Sequence, residues 1–287
     1  LYWFTWCMRS TIAVLTKPGG KVTDTLLGDY SYNRFRQEQF TVGYELSHQF
    51  NDIFQVRQNV RYGQTDTILN NLLPGAVNFN AGTVSRNAIR FDEHMNAFNI
   101  DNQLQADFST ASVTHRLLTG LDYSRLDGNA KRFGAAAPAL NIYNPVYGQN
   151  IADPTYALNN NDQTTAQLGL YMQDQISLTP KWLLTLGGRH DDISMRTQNN
   201  LNDSTSWLDK GAWTGRAGLT YLADNGLAPY ISYAESFVPN SGTDSQNRTF
   251  DPSKAHQYEV GVKYQPDPDL LMTLAAFDIT KSNVLTN

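Results

Sequence analysis

Long apolar runs are missing from this chain. No stretch approaches the roughly 18 to 20 apolar residues that a membrane-spanning helix needs, hydrophobic residues make up 40%, and the mean hydropathy is -0.45. A helical membrane protein is therefore excluded. Cysteine is nearly absent as well: Cys7 stands alone, so there is neither an internal disulfide framework nor a cysteine-based metal site. Basic excess is lacking too, with a net charge of -5 and a pI near 5.5, which argues against nucleic acid as a partner. The first ten residues, Leu1 to Ser10, lack the basic start, long apolar stretch and small-residue cleavage site of a signal peptide. They read as interior sequence, and the chain as a fragment of a secreted barrel.

What the sequence does have is a beat of two. Phe40, Val42, Tyr44, Leu46, His48 and Phe50 alternate with Thr41, Gly43, Glu45, Ser47 and Gln49, a sorting onto two faces that only a strand performs. Ten such stretches are legible, around 40–50, 54–62, 98–108, 113–125, 166–178, 182–192, 213–221, 227–237, 256–264 and 270–281. Every second residue facing lipid is enough for a barrel strand of ~10 residues, which reconciles a membrane fold with low hydropathy.

The connectors alternate in length. Those near 51, 110, 180, 225 and 267 are short turns, whereas 64–96, 127–163, 194–211 and 238–254 read as long loops rich in Asn, Gly, Asp and Ser. Short turns at one end and long loops at the other are the pattern of an outer-membrane barrel. A soluble sandwich or propeller also alternates, but it has no reason to put its long loops at one end, or to line its polar faces with Arg57, Arg61, Arg216, Glu259 and Lys263. The expected fold is all-β: an antiparallel transmembrane β-barrel wall. Faces follow, with Phe40, Val42, Tyr44 and Leu46 toward lipid and Glu45, Ser47 and Gln49 toward the lumen. Trp182, Trp213, Tyr230 and Tyr264 fall near strand ends, where interfacial girdles place aromatics.

No catalytic constellation declares itself. His190-Asp191-Asp192 has the residue types of a metal site, but alternation throws neighbours onto opposite faces, and His48, His94, His115 and His256 are scattered. No catalytic or metal-ligating residue is assigned.

Read as words, several segments resemble the TonB-dependent siderophore receptors, and most closely their ferrichrome-type hydroxamate branch. They are Tyr32-Asn33-Arg34-Phe35 with Glu38-Gln39-Phe40, Leu118-Thr119-Gly120-Leu121-Asp122-Tyr123, Asn141-Ile142-Tyr143-Asn144-Pro145-Val146, Tyr171-Met172-Gln173-Asp174-Gln175, and the stretch from Tyr230 to Tyr264. The resemblance runs in family order from about residue 24 to the end. It implies a barrel of roughly twenty-two strands around an N-terminal plug, of which this chain holds about ten, without the plug and the closing strand. Residues 1–23 read as an anomalous or truncated start, with Trp3 and Trp6 given no role, and 24–287 as a partial TonB-dependent receptor β-barrel domain.

The implied function is an outer-membrane receptor and transporter for a ferric siderophore of hydroxamate type, energised through the TonB complex acting on the N-terminal region. No cofactor is bound directly, and the ferric siderophore is the transported ligand. The alternative is a general diffusion porin or adhesive surface barrel, which carries no plug. The implied location is the bacterial outer membrane, with its lipid as a further partner. Carry-over from Arg132-Phe133-Gly134 puts a ligand-contacting aromatic on Phe133, and Tyr143 and Tyr147 lie in the long second loop within reach of the vestibule. The branch's paired loop tyrosines have no counterpart in Leu72-Leu73-Pro74-Gly75.

Overall fold

A computed structural model describes residues 25–240 and 250–285, preceded by the backbone of two short paired strands, β1 (Leu15–Thr16) and β2 (Val22–Thr23). Trp3 and Trp6 lie outside the described residues. Ten antiparallel strands follow in one sheet: β3 (Arg34–Gln49), β4 (Phe54–Asn78), β5 (Thr83–Thr110), β6 (Val113–Asn141), β7 (Tyr156–Thr179), β8 (Trp182–Asn199), β9 (Ser204–Tyr221), β10 (Leu227–Val238), β11 (Ser253–Asp267) and β12 (Leu270–Ser282). Their order in space is their order in sequence, with β3 and β12 at the edges. No described helix is long and apolar enough to cross a membrane.

The strands outrun the alternation. β5 and β6 are 28 and 29 residues long, nearly three times the ~10 that a tilted strand needs to cross hydrocarbon. Much of 64–96 and 194–211, expected as loop, is therefore strand, and the connections there shrink to 79–82 and 200–203. Above the membrane both faces meet water, so pairing persists while the apolar beat that betrays a strand in sequence disappears.

Within the hydrocarbon band the register sorts the faces as alternation requires. Val42, Tyr62, Phe98 and Arg125 align across four strands, as do Tyr44, Val60, Ile100, Tyr123 and Leu168 across five. This is the lipid face, and Leu170 and Met172 on it are more than half exposed. Aromatic pairs mark its borders: Trp182 against Tyr221 at 4.9 Å on the short-turn side and Trp213 against His190 at 4.5 Å on the other. Tyr230 differs from the girdle expectation. It pairs with Gly261 and Thr220 on the water face, because its residue number has the parity of Ser232 and not of Ile231.

Two buried clusters sit on the lipid-side face of the β4–β6 extension, while Ile193, Met195, Leu208 and Ala212 are buried on the other face of β8 and β9. Leu72 and Ala88 are paired in the β4–β6 extension, and the segment before β3 folds back over them. Tyr32, Leu72 and Ala88 form one cluster with Ile151 against it; Leu27, Val84, Leu140 and Ile142 form a second, with Val77 and Tyr147 packed on it. The chain's own segments cover this apolar surface.

Candidate functional site

The water face of the band carries a bracing network whose geometry depends on two glycines. Gly120 lies opposite Tyr171 and Gly169 opposite Asp122 and Asp191. A Cβ on Gly120 would occupy the position of the Tyr171 phenol, and one on Gly169 that of the Arg189 guanidinium. Both long side chains use the missing Cβ to cross a neighbouring strand. The Tyr171 hydroxyl donates to Asp101 at 2.7 Å. Arg189 donates from Nη1 and Nη2 to Asp122 at 2.5 and 2.9 Å, and from Nε to Asp191 at 2.7 Å, while Gln167 donates to Asp191 at 2.7 Å. The guanidinium also sits 5.6 Å from the Tyr171 ring centroid. Asp101, Asp122, Tyr171 and Arg189, together with Glu45, Asn59 and Arg61, line a hollow of about 700 Å³.

The same device recurs at β10–β11. Tyr230 lies over Gly261 and donates to Glu259 at 2.6 Å, with the Lys263 ammonium 5.6 Å from its ring. Bidentate pairing of a planar guanidinium with carboxylates is strong and directional, so this wall is held in shape by its polar groups.

Higher up, one row of directly paired residues crosses five strands on the water face: Phe35, Leu69, Phe91, Arg132 and Asn159. The Arg132 guanidinium lies 5.3 Å from the Phe91 ring centroid, and among the described residues its Nε is buried with no hydrogen-bond partner. Sequence reading did not single out this row. Its members lie far apart in the chain, and only the register brings them together.

The three residues singled out from sequence are not brought together. Phe133 is a β6 strand residue paired with Arg90 and Ala157, half-buried, with the parity of Leu121 and Tyr123. The uninterrupted β5–β6 register from Gly134 to Val113 thus puts Phe133 on the lipid-side face and its neighbour Arg132 on the water face. Tyr147 donates to the Leu26 carbonyl at 2.9 Å and packs on the Leu27 cluster. Tyr143 is exposed, with its ring against Gly82, where φ is +67°.

The segment beneath Tyr147 is tied by two buried ionisable groups. Asp29 accepts from the Ser31 amide and hydroxyl at 3.0 and 2.8 Å and from the Gly148 amide at 3.0 Å. Burial works against its ionisation, but these donors outweigh it and hold its carboxyl below the ordinary value. Arg86, 2% exposed, donates to the Pro138 carbonyl at 2.8 Å; burial pushes its guanidinium down, against the charge of Asp29.

The histidines all take the lipid-side face by register. His94 meets Asp66 at 2.6 Å and His115 meets Asp174 at 2.7 Å. His190 lies 3.7 Å from Asp192, while Asp191 points the other way into the Arg189 network.

A family model described as "TonB dependent receptor-like, beta-barrel" matches residues 8–287. The chain is 36% identical to the ferrioxamine B receptor of Salmonella typhimurium, over 93% of this chain and 38% of that protein. It is 35% identical to the ferrichrome outer membrane transporter/phage receptor of Escherichia coli K12, over 93% of this chain and 39% of that protein. The chain thus spans less than half the length of these curated relatives. Among solved structures, the ferripyoverdine receptor of Pseudomonas aeruginosa superposes with a TM-score of 0.79 at 20% identity, covering 93% of this chain and 36% of that one. The ferric-catecholate import receptor Fiu of E. coli K12 in its closed form gives 0.77 at 22% identity, covering 91% and 43%. At such identities these two show the fold.

Proposed function

The chain belongs to the TonB-dependent receptor β-barrel family, and from that membership we propose that it forms part of the wall of an outer-membrane receptor that takes up a ferric siderophore of hydroxamate type. The observation that carries the substrate class is the similarity over nearly the whole chain to receptors named for ferrioxamine and ferrichrome. The water face fits the task. A braced polar wall lines the water side of the sheet, and above it a row of apolar side chains ends in a guanidinium. A hydroxamate chelate presents hydrocarbon spacers and an oxygen rim, and recognition needs both kinds of surface.

In this reading the protein is a transporter, and no bond of the ligand is made or broken. Energy reaches the receptor through the TonB complex acting on the N-terminal region of the full-length protein. The test is uptake of radiolabelled iron by cells whose sole siderophore receptor is the full-length protein. Uptake of ferric hydroxamate that disappears when TonB is removed supports the reading. Uptake that persists without TonB, or a purified protein that conducts ions as an open pore, favours a diffusion porin instead.

A further inference from the structure

We propose that the row Phe35, Leu69, Phe91 and Arg132 is the surface of this wall that touches the ferric siderophore, and that Arg132 sets its charge preference, favouring chelates without a pendant cation. The inference rests on the siderophore-receptor reading above and names where on this arc the ligand sits.

Three observations carry it. First, the row is on the wrong side for an apolar stripe. Phe35, Leu69 and Phe91 share the face of Arg61, Asp101 and Asp122 by register, and Phe35 is 39% exposed. On a water-facing wall such side chains gain nothing from lipid, whereas packing on a ligand's hydrocarbon removes them from water.

Second, the row ends in a cation that the described residues leave without a counter-charge. Arg189 is spent on Asp122 and Asp191, Arg57 donates to Gln105, and Arg86 is buried on carbonyls. Arg132 has only the face of Phe91 beneath it. Over the ring its Nε is buried and unpaired, and hydroxamate oxygens are acceptors for guanidinium N–H groups left without a partner. The same fixed charge repels a chelate that carries an ammonium close to its rim.

Third, the row stands seven residues above Phe98 along β5, beyond the lipid band and below the hairpin tip at 79–82. Phe133, next in sequence, faces away from it.

The test uses the full-length receptor, with ferrichrome as the neutral probe and ferrioxamine B as the cationic one, and measures affinity and membrane abundance separately. Phe91→Ala should weaken both probes about tenfold, a loss of one aromatic contact, at normal abundance. Arg132→Gln should weaken ferrichrome more than ferrioxamine B, and Arg132→Glu should move the ratio of affinities further in the same direction. Phe133→Ala should leave both affinities unchanged. An unchanged affinity ratio in both Arg132 variants overturns the charge role. Unchanged affinities in Phe91→Ala, or an abundance loss that accounts for the whole effect as when the row packs against the receptor's own plug, overturn the contact surface. A wild-type receptor that binds neither probe overturns the parent reading, and this assignment with it.

Discussion

Arg189 passes over the bare Cα of Gly169 to reach Asp122, so a residue on β8 grips one on β6 across the strand between them. Three strands are thereby cross-linked by one side chain, and Asp191, only 1% exposed, is neutralised in the same grip. Gly169→Ala puts a methyl where the guanidinium lies. The expected cost is about 1 to 3 kcal/mol, the penalty for buried polar groups that lose a partner. Urea unfolding of the full-length receptor in detergent should show it, while Gly188→Ala, which has open space around its Cα, should cost far less.

Faces are separable by charge. Leu170 is 58% exposed on the lipid side, and Gln173 lies on the water face opposite Leu118 and Gly187. Leu170→Arg should destabilise by about 2 to 4 kcal/mol and Gln173→Arg by little, as measured by folding into lipid vesicles. Equal costs would contradict the barrel orientation.

Acid should loosen the strap over the β4–β6 extension. The Asp29 carboxyl is held below its ordinary value of 3.8, so its contribution is fully present above that value and is lost as pH falls through the lower folded one. Hydrogen exchange at the Gly148 amide, which donates to Asp29, should therefore lose protection below about pH 4. Asp29→Asn should show reduced protection at neutral pH and no further acid step.

Residues 1–287 expressed alone should fail to give a closed barrel. β3 and β12 each pair on one side only, and every backbone group left unpaired in hydrocarbon costs several kcal/mol. Heat-modifiability on gels should be absent for this stretch and present for the full-length receptor. A monodisperse, heat-modifiable species from these residues alone would contradict the prediction.

By itself the sequence determined the ten strands of the wall, their short turns and their two faces through the lipid band. Lipid enforces that legibility, because every second side chain from Phe40 to Phe50 or from Leu168 to Ile176 must answer to hydrocarbon or to water. Above the band the constraint lapses. Stretches such as 64–78 and 194–199 continue as strand with the composition of loops, since backbone pairing holds them and both faces are wet. Which face a residue takes there was decided only by the tertiary register, continuous between β5 and β6 from Val113 to Gly134, while the β6–β7 pairing shifts between Arg132 and Phe133, where β7 carries Leu158 as an extra residue. That continuity sends Arg132 to the water face and Phe133 to the other. The β3–β4 and β4–β5 pairings gather Phe35, Leu69 and Phe91 from three strands into one row, a proximity that local sequence does not encode because it arises from pairing between distant segments.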